Sequence, residues 1–174
     1  MIPKINNILY ATDLSKNSAY AFRYAVNSAE HHKAKIHILH VLESEQANRS
    51  PFWVDLLPQL PQAELDEVYS KKKGAVREEI KKRLEDFCKR ELKNKPASLK
   101  MVSSLQVIEG DPAGKILEKA DQLKVDMVIM GSHGKGLLTH AFLGSVAEKV
   151  LNRIKIPVFV IPIPEERDIS FSDV

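Results

Sequence analysis

The chain has 174 residues, of which 44% are hydrophobic and 28% are charged, and its formal net charge is +3. This length predicts one domain with a substantial core, and this composition excludes an intrinsically disordered chain. The 26 basic and 23 acidic side chains are interleaved along the sequence. A nucleic-acid-binding protein typically concentrates its basic residues in a stripe, so we predict no nucleic-acid partner.

The sequence contains no hydrophobic run approaching the ~18 residues that a membrane span requires. It enters its first strand pattern at once, without the hydrophobic segment of a signal peptide. Cys88 is the only cysteine, which excludes an internal disulfide, and it lies on the apolar stripe of a predicted helix. We therefore predict a soluble cytoplasmic protein with no membrane partner and with an inert thiol in its core.

The first part of the chain alternates between strand and helix patterns. The apolar run 7–12 predicts a strand, and Ser15 is placed to cap a helix over Lys16–His32. A second strand is predicted at Lys35–Leu42, where nearly continuous apolar residues indicate a sheet that is covered on both faces.

The middle of the chain is less regular. Residues 44–64 contain three prolines and the only tryptophan, which predict a loop or a short helix. Residues 65–92 carry one long helical stripe of apolar side chains, and residues 99–108 predict a third strand. Asp111 then suits an N-cap, with Pro112 at the first position of the next helix.

The last part of the chain predicts two more strands with a helix between them. Residues 126–130 predict the fourth strand, and the final helix is expected to begin at Gly144-Ser145. Ser145 and Glu148 have the spacing of a capping box, with Ser145 as the N-cap. The run 156–162 predicts a fifth strand, and its flanking prolines place that strand at a sheet edge.

These elements alternate as β-α-β-α-β-α-β-α-β. Such alternation predicts the α/β class, with a single doubly wound parallel sheet of five strands and helices on both faces. The domain is expected to span residues 1–162, with a proline-rich insert at 44–64, and to be followed by a flexible acidic tail at 163–174.

Two strand ends carry the residues expected of a binding site. In such a sheet, ligands lie beyond the carboxyl ends of the strands, where the strand order reverses. The first strand ends in Ala11-Thr12-Asp13, and the fourth ends in a glycine loop at 130–134. If these strands are neighbours, the Asp13 carboxylate faces that loop and can accept hydrogen bonds from ribose hydroxyls. The glycines let the loop backbone approach phosphate oxygens, and the helix start at Ser145 adds N–H groups that favour an anion.

Each of these residues also has a simpler interpretation. Asp13 could merely cap the first helix, and Ser145 is fully explained as an N-cap. His133 could be a solvated loop side chain, and the loop glycines could simply permit turns. The sequence shows no P-loop, no dinucleotide fingerprint after the first strand, no metal-ligand cluster and no activated nucleophile. It therefore assigns no catalytic residue and no metal site.

Four motifs of this chain occur together in one known family: Gly131-x2-Gly134-x9-Gly144-Ser145, Ala11-Thr12-Asp13, Val41 at the end of the second strand, and the terminal run IPVFVIP. On these motifs the chain resembles the universal stress protein family, in its ATP-binding branch. The resemblance covers about residues 6–161. It implies a sheet with the strand order 3-2-1-4-5, the adenine nucleotide alpha hydrolase-like fold.

The resemblance also implies the ligand and its contacts. The ligand would be ATP, with Mg²⁺ as an optional companion. Asp13 would contact the ribose, and Val41 would meet the adenine through its backbone. The residues that would surround the nucleotide are Ala11, Thr12, Asp13, Val41, Met130, Gly131, His133, Gly134, Gly144, Ser145 and Val146. The chain departs from the family pattern at Ala11, where the family often has proline, and at Ala147, where some members have a polar residue.

The function implied by the resemblance is that of a cytoplasmic, ATP-binding regulatory or stress-response protein with slow or no hydrolysis, acting on an unknown signalling protein. Members of the family commonly form dimers through the last strand, which places the homodimer contact at Val158–Ile161. Two other hypotheses stay open. One is an ATPase or nucleotidyl-transfer enzyme in which His133 or Asp13 orients water or a metal. The other is a dimerisation protein that binds no nucleotide.

Overall fold

The computed structural model describes residues 2–43, 62–133 and 143–162. Its helices and strands are β1 (Asn7–Ala11), α1 (Lys16–His32), β2 (Lys35–Leu42), α2 (Gln62–Glu91), a 3-10 helix (Pro96–Met101), β3 (Val102–Glu109), α3 (Pro112–Gln122), β4 (Met127–Gly131), α4 (Ser145–Leu151) and β5 (Val158–Ile161). The predicted tail lies outside the described residues, and so does the predicted insert except for residues 62–64, which begin α2.

The five strands form one parallel sheet in the order β3-β2-β1-β4-β5. β1 lies at the centre, where Ile8 pairs with Ile36 of β2 on one side and with Met127 of β4 on the other. The chain therefore moves outward from β1 to β2 and β3, and then returns across the sheet to β4. This topology confirms the predicted α/β class, the strand order implied by the resemblance, and the edge position of β5.

Helices cover both faces of the sheet. On one face Phe22 of α1 lies between Tyr10 of β1 and Phe87 of α2, with ring centroids 5.2 Å apart in each pair. On the other face Leu9 of β1 joins a core that includes Val150 of α4. Adjacent strand residues point to opposite faces, so a central strand that is covered twice needs apolar residues at nearly every position.

Two helices begin as the sequence predicts. The Ser15 hydroxyl accepts a hydrogen bond from the Ser18 N–H at 3.2 Å, at the start of α1. The Asp111 carboxylate accepts from the Gly114 N–H at 2.8 Å, and Pro112 is the first residue of α3. Each cap pairs an N–H group that has no partner inside its own helix.

The third strand begins later than predicted. Residues 99–101, which the sequence prediction placed in the strand, belong to the 3-10 helix, so β3 begins at Val102. Pro96 starts that helix, and it suits this place because it has no N–H to satisfy and its φ angle is already close to helical. The apolar pattern extended the predicted strand into residues that in fact form this helix.

Cys88 is buried in the core between α2 and the sheet, as predicted, with 4% of its surface exposed. Burial raises the pKa of its thiol to about 11. Because the thiolate is the nucleophilic form, a thiol with this pKa is unreactive at neutral pH. Among the described helices, none is both long enough and apolar enough to span a membrane.

Candidate functional site

A cleft of about 330 Å³ opens where β1, β2 and β4 end, and this volume lies within the range of small-molecule sites. Except for Gly134, which lies outside the described residues, every site residue predicted from the sequence lines it: Ala11, Thr12, Asp13, Val41, Met130, Gly131, His133, Gly144, Ser145 and Val146. Leu39, Ile116 and Ala147 add apolar surface to the cleft. The fold thus brings the candidate residues together, while the ligand contacts assigned to them stay predictions.

Asp13 lies in a turn between β1 and α1. Its Oδ1 atom accepts a hydrogen bond from the Ser15 N–H at 3.0 Å, and the Thr12 hydroxyl accepts from the Leu14 N–H at 3.1 Å. Leu14 has a φ angle of 62°, in the left-handed region that costs a residue with a Cβ about 1–2 kcal/mol. Ser15 caps α1, so the interpretation of Asp13 as the helix cap is wrong.

This turn uses only one of the two carboxylate oxygens of Asp13 as a hydrogen-bond acceptor. Oδ2 is buried and has no hydrogen-bond partner among the described residues. Buried polar atoms are nearly always paired, and leaving one unpaired costs about 1–3 kcal/mol. A hydroxyl group of a ligand in the cleft could supply the missing donor.

The backbone of Val41 is free to face the cleft because β1 ends before it. The Thr12 N–H donates to the Leu39 carbonyl at 3.0 Å, and the β1–β2 register ends where Ala11 pairs with Leu39. In a parallel strand, both backbone groups of a residue point towards the same neighbouring strand, and alternate residues share that direction. The N–H and C=O groups of Val41 therefore point the same way as those of Leu39, past the end of β1.

His40 joins the ends of β1 and β2 beside the cleft. Its ring Nδ1 lies 2.8 Å from the Thr12 carbonyl oxygen, which can only accept, so Nδ1 is the donor. The His40 side chain is buried and lines the cleft. No sequence motif marks His40 as a site residue, because its partner lies 28 positions away in the chain.

Ser132 and His133 form the opposite side of the cleft, just after β4. The Ser132 N–H donates to the Ile161 carbonyl of β5 at 2.8 Å. The Ser132 hydroxyl lies 2.8 Å from His133 Nδ1, and His133 Nε2 is buried without a partner among the described residues. Only 9% of the His133 surface is exposed, so the interpretation of His133 as a solvated loop side chain is wrong.

Gly144 is the N-cap of α4, so the predicted capping box with Ser145 as the N-cap is wrong. The Gly144 N–H donates to the Ser132 carbonyl at 2.8 Å, and a Cβ atom at Gly144 would lie 2.9 Å from that oxygen. Only glycine allows so close an approach, and this contact starts the helix immediately after Gly144. Ser145 is therefore the first helical residue, is exposed and makes no capping bond.

The described residues do not form a metal site by themselves. Nowhere among them do three or more His, Cys, Asp or Glu side chains converge in the way that could hold a metal ion. Mg²⁺ is usually held by one or two carboxylates together with substrate phosphates. A Mg²⁺ ion in this cleft would therefore need to take most of its ligands from the phosphates of a nucleotide and from water.

Comparison with known proteins identifies one family. Residues 4–162 match the model of the universal stress protein family. The chain is 29% identical over 155 residues to the universal stress protein MJ0577 of Methanocaldococcus jannaschii. The aligned region covers 88% of this chain and 93% of that protein. It is 30% identical over 156 residues to the universal stress protein YxiE of Bacillus subtilis, which covers 90% of this chain and 98% of that protein.

Solved structures share the fold. The structure of MJ0577 aligns with a TM-score of 0.72 at 26% identity and covers 94% of this chain and 99% of its own. A universal stress protein solved in complex with cAMP aligns with a TM-score of 0.54 at 20% identity and covers 92% of this chain and 98% of its own. At that level of identity the second likeness concerns the fold alone.

Proposed function

Because the chain belongs to the universal stress protein family, we propose that it is a nucleotide-dependent regulatory protein whose cleft binds ATP. The observation that carries this proposal is the Asp13 carboxylate, whose buried Oδ2 has no partner within the described part of the chain, at the place where the strand order reverses. The protein solved with cAMP supports adenine nucleotides as the ligand class, since it holds one on the same fold.

We propose a direction for the nucleotide in the cleft, and the order of the strands supports it. β2, β1 and β4 are neighbours, so their ends span about 10 Å at the usual spacing of strands. At the β2 end, Val41 presents one backbone donor and one acceptor, which match the ring nitrogen and the amino group of adenine. Over β1, Asp13 would accept hydrogen bonds from the ribose hydroxyls. The adenosine therefore lies from β2 to β1, with its phosphates towards β4.

The phosphates would lie between the end of β4 and the start of α4. The Gly131 and Gly144 backbones form the walls of this part of the cleft, and Ser145 adds an exposed hydroxyl that no capping bond occupies. The N–H groups of Ser145 and Val146 belong to the first turn of α4, where helix N–H groups lack partners within the helix. Gly134 is proposed to belong to the same group on the resemblance alone.

We expect this protein to bind ATP with slow or no hydrolysis. The sequence carries no motif for activating water or a nucleophile. Regulation requires only that an occupied cleft differs from an empty one. Turnover faster than about one per second, at the low end of typical enzymes, would favour the enzyme hypothesis instead.

We also propose that two copies pair through β5. This strand lies at the edge of the sheet, and Phe159 is 50% exposed there. Exposed edges of sheets readily pair with a second chain, and a large exposed apolar side chain adds surface for such a contact. The dimer would act in the cytoplasm on a signalling protein that neither the sequence nor the fold identifies.

Co-purification tests the proposal most directly. The purified protein is denatured, and the released supernatant is analysed for adenine nucleotides by chromatography. ATP at 100 times its dissociation constant should also add about 2.7 kcal/mol to the free energy of unfolding. If no nucleotide is released and millimolar Mg-ATP leaves the melting temperature unchanged, the proposed function is wrong.

Asp13→Asn tests the residue that carries the proposal. The asparagine has the same shape and keeps an oxygen for the Ser15 N–H, but it has no charge to offer the ribose hydroxyls. We expect about a tenfold loss of ATP affinity, because hydrogen bonds to charged groups contribute about 1.5–3 kcal/mol. Asp121→Asn, an exposed site on α3, makes the same chemical change away from the cleft and should keep full affinity. Equal affinities of the two variants would contradict the role of Asp13.

A further inference from the structure

His133 is held in place from two sides. The Ser132 hydroxyl lies 2.8 Å from its ring Nδ1. The Asn17 side-chain amide donates to its backbone carbonyl at 3.2 Å, across 116 positions of the chain. Ser132 therefore contacts the ring of His133, and Asn17 contacts the backbone of the same residue.

Asn17 reaches His133 because α1 packs closely against the end of β4. A Cβ atom on Gly131 would lie 3.8 Å from Asn17 Nδ2 and 3.4 Å from the His133 carbonyl oxygen. Asn17 Oδ1 is buried and unpartnered among the described residues, so half of this amide is unsatisfied. An apolar side chain at this position would avoid the cost of the unpaired oxygen. We therefore attribute the asparagine to the hydrogen bond that its Nδ2 donates to the His133 carbonyl.

The Ser132 contact is compatible with either neutral tautomer of His133, because a hydroxyl can donate to Nδ1 or accept from it. When the Ser132 hydroxyl donates to Nδ1, the ring proton lies on Nε2, and Nε2 becomes a donor. This Nε2 is the atom that is buried without a partner among the residues that the structure describes, on a side chain with only 9% of its surface exposed. The unmatched group is then an N–H that requires an acceptor.

We propose that Asn17 and Ser132 are positioning residues that hold His133 with its Nε2–H ready for a phosphate oxygen of the bound nucleotide. The proposal rests on the proposed function, and the strand order places His133 at the phosphate end of the cleft. A donor whose orientation is set before binding loses little freedom when the phosphate arrives. Asn17 thereby couples the start of α1 to the occupancy of the cleft.

Affinities for ATP and for adenosine separate this role from general structural support. His133→Ala should lower ATP affinity about tenfold, and Ser132→Ala and Asn17→Ala should each lower it about three- to tenfold. Adenosine has no phosphate, so its affinity should change by less than about twofold in all three variants. Asn27→Ala on α1 and Ser103→Ala on β3, both exposed sites, are the matched controls and should keep both affinities.

A double-mutant cycle tests whether the two residues act through His133. In a His133→Ala background, the further change of Ser132 or Asn17 to alanine should leave ATP affinity unchanged within about twofold. Additive losses would overturn the proposal, because they would mean that these residues contribute independently of the imidazole. Parallel losses of ATP and adenosine affinity in the single variants would overturn it as well.

NMR of the ligand-free protein gives a readout that does not need a nucleotide. Long-range 1H–15N spectra should show His133 as the Nε2-protonated tautomer in the wild type and should lose that preference in Ser132→Ala. An Nδ1-protonated ring in the wild type would overturn the positioning proposal even if ATP binds. Failure of the wild type to bind either ATP or adenosine would instead refute the proposed function, and the assignment of a phosphate to His133 would fall with it.

Discussion

Asp111 and Ser145 both stand where a helix begins, but only Asp111 caps its helix. Asp111 accepts the Gly114 N–H at 2.8 Å, whereas the Ser145 side chain makes no capping bond. Asp111→Ala should therefore lower the free energy of unfolding by about 1 kcal/mol. Ser145→Ala should change it by less than about 0.5 kcal/mol and should weaken ATP binding instead. Urea denaturation and calorimetric titration measure the two effects, and a large stability loss in Ser145→Ala would contradict the observed cap.

Gly144 and Gly74 make a matched pair of glycines. A Cβ atom at Gly144 would lie 2.9 Å from the Ser132 carbonyl oxygen, while one at Gly74, exposed in α2, would meet nothing within 4 Å. Gly144→Ala should destabilise the protein by about 1–3 kcal/mol and weaken ATP binding, because the end of β4 must move. Gly74→Ala should stabilise it by about 0.5–1 kcal/mol, since alanine favours a helix interior. Thermal unfolding of both variants decides whether the close approach at Gly144 matters.

At the scale of elements, α1 connects the cleft to the far side of the molecule. Its first turn carries Asn17, which contacts His133, and Glu30 lies near its other end. Glu30 accepts hydrogen bonds from the Ser98 hydroxyl at 2.6 Å and from Lys95 Nζ at 3.0 Å. The helix is thus held by polar contacts near both ends and by its apolar face between them.

The contacts of Glu30 predict a pH dependence. The Ser98 hydroxyl first, and then Lys95, lower the pKa of Glu30 below its ordinary value of 4.5. A lowered pKa stabilises the fold above the ordinary value, and this contribution is lost as the pH falls through the folded-state pKa. The wild type should therefore keep its stability advantage over Glu30→Gln from neutrality down to about pH 4.5, and should lose it progressively as the pH falls below that value.

Urea denaturation across that pH range provides the measurement. Ser98→Ala removes the contact with the largest effect on Glu30, so it should reduce the same pH dependence in part. Parallel stability curves for the wild type and both variants would show that these contacts do not contribute to folding.

At the scale of the whole molecule, the proposed dimer contact and the cleft lie on different parts of the sheet. The cleft is built by the ends of β1, β2 and β4 together with α3 and α4, whereas the proposed contact is the outer edge of β5. Phe159 and the buried Ile161 are two positions apart on this strand, so their side chains share a face. Ile161 packs in the core on the α1 side of the sheet, and Phe159 therefore lies on that side as well.

Phe159→Lys should convert the dimer into a monomer that still binds ATP. A charge at the contact would be buried without a partner in the dimer, which is strongly unfavourable. Sedimentation velocity reports the oligomeric state, and calorimetric titration reports the affinity. Ile2→Lys adds the same charge at a residue that is 90% exposed and should leave the dimer intact. A monomeric wild type would refute the proposed contact.

Local chemistry made much of the fold predictable. Ser15 and Asp111 cap their helices through bonds that span three residues, and such bonds are encoded within a few positions of sequence. The second strand was predicted at its observed bounds, Lys35–Leu42, because burial on both faces leaves a nearly continuous apolar run. The strand order came from the resemblance, since alternation of elements allows several orders.

Other features depended on distant partners. Ser145 has every local property of an N-cap, but the Ser132 carbonyl selects Gly144 instead. His40 and Asn17 carry no motif, and each acquires its contact only when the strands and α1 are assembled. Asp13 Oδ2 is buried without a partner among the described residues, and this too is a property of the packed turn.

The sequence by itself determined the alternation of elements and two helix caps, because these depend on periodicity and on side chains a few positions apart. Most candidate site residues were assigned through the family resemblance. Only the tertiary structure decided which strand ends meet, which residue caps α4 and which polar atoms are left unpaired. Those outcomes depend on atoms brought within about 3 Å of one another from distant parts of the chain, at the distance where hydrogen bonds form.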